Sequence, residues 1–102
     1  REQKKEAGEY YDRMFHSGWE EAVRENFDMV IFDEIMAACK YGLVCEKEVL
    51  DHLKKRPRSL EVVLTGRDPS PEFVDLADYV SEIRKVKHPF DQGCGAREGI
   101  EF

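Results

Sequence analysis

Four apolar residues followed by two acids, Met29-Val30-Ile31-Phe32-Asp33-Glu34, constrain this 102-residue chain more than any other stretch. An unbroken apolar run of that length suits a strand buried on both faces, as in a parallel sheet. Parallel strands cannot be joined by a tight hairpin, so helical crossovers must lie between them. The rest of the sequence supplies them. Arg1 to about Glu25 reads as a helix, with Tyr11, Phe15, Trp19 and Val23 recurring every four residues and Tyr10, Met14 and Ala22 beside them. Core packing is the reading for this stripe, with ligand stacking by Tyr10 or Trp19 as the alternative. Gly18 is a place where the helix could bend. Phe27 to Phe32 reads as the first strand, Ile35 to Cys39 as a short helical turn ending near Gly42, and Glu46 to Lys55 as a helix stopped by Pro57. Leu60 to Thr65 reads as a second strand by its β-branched content. Ser70-Pro71-Glu72 is a helix start, with Ser at the N-cap, Pro at the first helical position and an acid in the first turn. That helix runs to about Ala77. Asp78 to Val86 alternates as a third strand, and Asp91 to Ala96 is a glycine-bearing loop. The fold class is α/β, with helices packed on a mostly parallel sheet.

Composition narrows the function. Sixteen Lys and Arg against 22 Asp and Glu give a net charge of −6, which argues against a general nucleic-acid binder, because phosphate contacts need clustered cations. A binder of one nucleotide is not excluded. The longest apolar run, Ile35 to Cys39, is five residues, far short of the roughly 20 needed to cross a bilayer. The charged start, Arg1-Glu2-Gln3-Lys4-Lys5-Glu6, is neither a signal peptide nor an anchor. Cys39, Cys45 and Cys94 are odd in number and lack CxxC spacing. A reduced, cytoplasmic setting without disulfide or structural zinc is the simplest reading.

The apolar run and its two acids form a Walker B pattern. The strand would deliver Asp33 and Glu34 to its C-terminal edge, where open α/β sheets bind ligands. A carboxylate there can hold Mg²⁺ while the metal bridges phosphate oxygens; the alternative is that the two acids cap the following helix. Thr65-Gly66-Arg67 falls on the same edge, at the end of the second strand. Arg67 can pair with phosphate through its planar fork, or simply with Asp68 beside it. A Walker A loop, which would cradle phosphates with backbone N–H groups and a lysine, is missing from the sequence. His16, His52 and His88 are scattered without helical ligand spacing, and read as exposed or core-bridging rather than zinc ligands. Ser81, His88 and Asp91 could be written as a triad, but no nucleophile elbow surrounds them. Lys85, Lys87 and His88 form a small basic cluster, read as a solvated strand end or an anion site. No catalytic residue is identifiable by this route.

Several short segments occur in a familiar order: Phe32-Asp33-Glu34-Ile35, then Val62-Val63-Leu64-Thr65-Gly66-Arg67, then Leu76-Ala77-Asp78-Tyr79-Val80-Ser81-Glu82, then Val86-Lys87-His88-Pro89-Phe90, then Gly99-Ile100-Glu101. Together they resemble the C-terminal half of the P-loop-type ATP:corrinoid adenosyltransferases, over roughly residues 17–102. The resemblance implies transfer of the 5′-deoxyadenosyl group of ATP to a Co(I) corrinoid, with release of triphosphate. It implies that Asp33 and Glu34 are the Mg²⁺–triphosphate carboxylates. Thr65, Gly66 and Arg67 become nucleotide-binding residues, Arg67 being the direct contact. Lys87, His88 and the Gly93–Gly99 tail match family positions without assignable roles.

The family's phosphate loop, first strands and aromatic corrinoid-facing segment have no counterpart here. The expected architecture is therefore a partial P-loop NTPase-like, three-layer α/β/α unit over residues 1–102, lacking N-terminal strands and phosphate loop. Alone it is expected to be inactive, acting as a homodimer or paired with the missing N-terminal part. The alternative is a non-catalytic remnant or protein-interaction module that keeps the fold without ATP chemistry. A recombinase-like ATPase would share the Walker B strand but leave the other segments unexplained.

Overall fold

The computed structural model describes residues 2–84 and residue 86. Its elements are α1 (Glu2–Arg24), β1 (Met29–Phe32), α2 (Ile35–Lys40), α3 (Glu46–Lys54), β2 (Glu61–Leu64) and α4 (Pro71–Leu76). The strands pair in parallel, with Met29 opposite Glu61 and Phe32 opposite Leu64. α2 and α3 together make the crossover between them. The expected strand–helix–strand order is therefore present, as an α/β unit with a two-stranded parallel sheet.

Local chemistry explains where the helices stop. α1 runs straight through Gly18 and ends at Asn26, whose φ of 54° is left-handed. There the Phe27 N–H donates to Ala22 O at 2.9 Å and the Asn26 N–H to Val23 O at 3.3 Å. This pair of bonds is a Schellman cap, with Asn in the position that glycine usually fills. α2 ends the same way at Gly42, φ 73°, where the Leu43 N–H donates to Ala38 O at 2.8 Å and the Gly42 N–H to Cys39 O at 3.1 Å. Beyond α3, Pro57 carries no N–H and cannot continue the helix; its carbonyl accepts from the Leu60 N–H at 3.0 Å, turning the chain into β2.

The core joins Phe15 and Trp19 of α1, Ile35 and Ala38 of α2, Val44, Val49 of α3 and Phe73 of α4, with Phe32, Met36, Val62 and Leu64 packed against them. Only the inner edge of the α1 stripe is buried: Phe15, Trp19 and Ala22 are inside, while Tyr10, Tyr11, Met14 and Val23 face outward. The stacked Trp19–Phe32 rings, 6.4 Å apart, fix α1 on β1.

Three sequence expectations are corrected. β1 is not buried on both faces. Burial alternates along both strands, so Phe32, Val62 and Leu64 pack inward while Met29, Ile31 and Val63 stay exposed. The three-layer arrangement is accordingly not formed among the described residues, whose helices cover one face of the sheet. Finally, the strand expected over Asp78 to Val86 is irregular chain at 78–84. Its apolar residues reach no partner, Ile83 being 98% exposed, and a strand without a neighbour to pair with has nothing to hold it. The Asp91–Ala96 loop lies outside the described residues.

Candidate functional site at the sheet edge

The register of the two strands decides what meets at the C-terminal edge. With Phe32 opposite Leu64, Asp33 and Thr65 leave the sheet side by side. The Thr65 N–H donates to Phe32 O at 3.1 Å, extending the ladder by one bond. The Thr65 hydroxyl then donates to Asp33 Oδ1 at 2.6 Å and accepts from the Glu34 N–H at 2.9 Å. One side chain therefore holds the carboxylate of Asp33 and the backbone of Glu34 together. A short hydrogen bond to an ionised acceptor is stronger than a neutral one.

Glu34 sits in the left-handed region, φ 56° and ψ 29°, as the N-cap of α2, and makes no side-chain cap bond. Capping of that helix by the side chain of Glu34 is therefore not what the acid does here. A non-glycine residue in this region costs about 1–3 kcal/mol, which the Thr65 bond to its N–H helps to offset. Gly66 follows with φ 152°, and a Cβ at that position would lie 2.6 Å from Met36 Cβ and Cγ. Glycine is required for the second strand end to pass this close to the start of α2. Arg67 is exposed and joins none of the ion pairs formed among the described residues, Asp68 included.

The remaining sequence candidates separate. Trp19 is buried in the core, and Tyr10 is exposed on α1 against Tyr11. Ser70 is the N-cap of α4, but its hydroxyl donates to Glu46 Oε2 at 3.0 Å and accepts no N–H from its own helix. Ser81 lies in the irregular segment. Lys85, Lys87, His88, Asp91, Cys94 and the Gly93–Gly99 tail lie outside the described residues. Burial, the nearby Glu46 carboxylate and Cys45 push the Cys39 thiol up to about 11, so at neutral pH it is a protonated core group and not a nucleophile. A shallow recess of about 380 Å³ on α1, lined by Trp19, Glu20, Val23 and Arg24, contains none of the edge residues.

Thr65→Val should lower stability by about 1–2 kcal/mol, because it strands the Glu34 N–H and releases Asp33. Thr65→Ser should retain most of it. Urea unfolding midpoints of the two variants give the comparison.

The chain is an α/β protein whose parallel sheet carries two adjacent acids and a hydroxyl on its C-terminal edge. The family model described as ATP:corrinoid adenosyltransferase BtuR/CobO/CobP matches residues 1–102, and the chain belongs to that family. It is 38% identical over 94 residues to the corrinoid adenosyltransferase of Sinorhizobium sp., covering 87% of this chain and 44% of the relative. It is 39% identical over 88 residues to that of Escherichia coli K12, covering 82% and 45%. With the corrinoid adenosyltransferase CobA of Salmonella typhimurium it shares 43% over 75 residues, covering 74% and 38%. The chain thus spans less than half the length of these curated relatives.

Proposed function

We propose that residues 1–102 form the C-terminal part of a P-loop-type adenosyltransferase domain, whose whole transfers the 5′-deoxyadenosyl group of ATP to a Co(I) corrinoid. In that reaction the cobalt attacks the ribose C5′, a Co–C bond forms, and the C5′–O bond breaks as triphosphate leaves. The observation that carries the reading is the Thr65–Asp33 pair at the sheet edge, in a chain of this family. Thr65, Gly66 and Arg67 line the nucleotide side of that edge, and Arg67 supplies a planar cation for the triphosphate.

The donors suit Mg²⁺. Thr65 occupies Oδ1 of Asp33, leaving Oδ2 as a hard oxygen ligand, and Mg²⁺ is commonly held by one or two carboxylates together with substrate phosphates. Asp33 and Glu34 would hold it, and the ion would neutralise charge on the departing triphosphate. The phosphate grip itself comes from the part of the domain that the relatives carry beyond this chain's span. Met29, Ile31 and Val63 offer an exposed apolar sheet face on which further strands or helices of the same domain would pack. A reduced cytoplasmic setting fits the cysteine spacing, and among the described residues no helix is long and apolar enough to cross a membrane.

The test uses the longer protein that joins this chain to its phosphate loop. Asp33→Asn should slow ATP-dependent Co–C bond formation at least about a hundredfold, the scale seen when one charge-stabilising group is removed, with an unchanged far-UV dichroism spectrum. Wild-type rates in both Asp33→Asn and Glu34→Gln would sink the assignment. If the 102-residue chain alone binds MgATP tightly in a calorimetric titration, the phosphate loop is not the main grip.

A further inference from the structure

We propose that Asp12, His16 and Glu48 form a binding site for a divalent transition metal, of the zinc or nickel class, that ties α1 to α3. The sequence showed the histidines as scattered. The fold gathers two of them, each with an acid one turn before it on the same helix: Asp12 and His16 on α1, Glu48 and His52 on α3.

His16 Nε2 lies 3.5 Å from Asp12 Oδ1 and 3.7 Å from Glu48 Oε2, and ligand atoms of the three residues all lie within 4.8 Å of one another. A metal bound at about 2.0–2.2 Å to nitrogen and oxygen places tetrahedral ligands roughly 3.4 Å apart. The two His16 separations therefore need a contraction of only a few tenths of an ångström, and the Asp12–Glu48 pair, within 4.8 Å, closes by rotation of the two carboxylates. The imidazole is already held in place. Its ring meets Phe15 edge-on at 5.2 Å and His52 edge-on at 5.2 Å, and His52 is itself lodged against Phe15 and Trp19. The one nitrogen ligand is thus fixed by core side chains, while Asp12 and Glu48 are free to close on the ion.

The donor set selects the metal. An imidazole with two carboxylates favours Zn²⁺ or Ni²⁺ over Mg²⁺, which prefers oxygen alone and keeps its waters. Two carboxylates balance the charge of a divalent ion. His16 is 31% exposed and the carboxylates more so, leaving the outer coordination positions to water. The site shares no residue with the Asp33–Thr65 edge. A bound ion would cross-link two helices that this pocket of side chains brings together, and an ion held only by the folded chain stabilises it.

Titration of the full chain with Co²⁺, followed by visible absorption, and with Zn²⁺, followed by calorimetry and thermal unfolding, tests the site. One equivalent should bind, with a cobalt spectrum free of the near-ultraviolet thiolate band that Cys39 or Cys45 would give. The unfolding temperature should rise with Zn²⁺. His16→Gln and Glu48→Gln should each weaken binding at least about tenfold and abolish the thermal shift, while Met14→Ala, at an exposed α1 position outside the cluster, leaves both unchanged. Absence of binding, a thiolate spectrum, or equal affinity in either cluster variant would overturn the proposal. Both substitutions fall on partly exposed side chains, and far-UV dichroism of each variant separates lost ligation from lost folding.

Discussion

Gly66→Ala is expected to cost about 3 kcal/mol of stability and to disturb the sheet edge along with it. Two effects combine. The φ of 152° lies in a region that L-residues rarely adopt, worth about 1–3 kcal/mol. The added methyl would also sit 2.6 Å from Met36 Cβ and Cγ and 3.2 Å from the Met36 backbone nitrogen, an overpacking that typically costs about 1–3 kcal/mol. A small domain holds only about 5–15 kcal/mol in total, so a loss of this size should be plain in a urea unfolding curve. Relief of the clash can come only by moving the chain at 66 or the start of α2. Either movement pulls on Thr65, whose hydroxyl is bonded to both Asp33 and Glu34. A second variant dissects the cause. Met36→Ala removes Cγ but leaves Cβ and the backbone nitrogen, so the double variant should recover part of the loss and not all of it. A cycle with no coupling between positions 36 and 66 would place the strain in the backbone angle alone. An unchanged midpoint for Gly66→Ala would contradict the close approach itself.

Features written in a few consecutive residues were legible in the sequence. The run Val30-Ile31-Phe32 with Asp33-Glu34 behind it, the Ser70-Pro71-Glu72 start, the Gly42 stop and the Pro57 break each carry their own physical instruction, and α2, α3, α4 and both strands lie within a residue or two of where these place them. The edge that brings Asp33 beside Thr65 was legible too, because parallel strands align their C-terminal ends. What failed depends on partners. Asp78 to Val86 has strand-like side chains, but a strand exists only beside another strand, and none among the described residues pairs with it. Burial of β1 on both faces was inferred from composition, whereas the exposed Met29 and Ile31 depend on what packs beyond the sheet. The bond by which Thr65 holds Asp33 was not legible either, because only the register reveals it. The approach of His16 to Glu48 arises from how α1 lies on α3, and the acid–histidine spacing on each helix was the signal available for it.

The α1 stripe gives the second large expectation, since adjacent residues on one helix meet opposite environments. Phe15 is 2% exposed and Met14 is 53% exposed. Phe15→Ala should destabilise the chain by about 3–5 kcal/mol, the range for deleting a buried aromatic ring. Met14→Ala should change stability by no more than about 0.5 kcal/mol. Alanine is the best helix former, so both substitutions favour α1 as a helix and the difference between them reports packing. The ring of Phe15 is a junction: its centroid lies 4.9 Å from that of Phe32, 6.3 Å from Trp19 and 5.5 Å from His52. Removing it opens a cavity between α1, β1 and α3, and Phe32 on its rim is the residue that precedes Asp33. The loss should therefore loosen the strand that presents the carboxylate as well as the helix that carries the ring. Phe15→Leu, which keeps most of the volume, should cost less than half as much as the alanine change. Thermal and urea unfolding of the three variants measure these differences. Equal costs for Phe15→Ala and Met14→Ala would mean that α1 does not lie on β1 through this edge of its stripe.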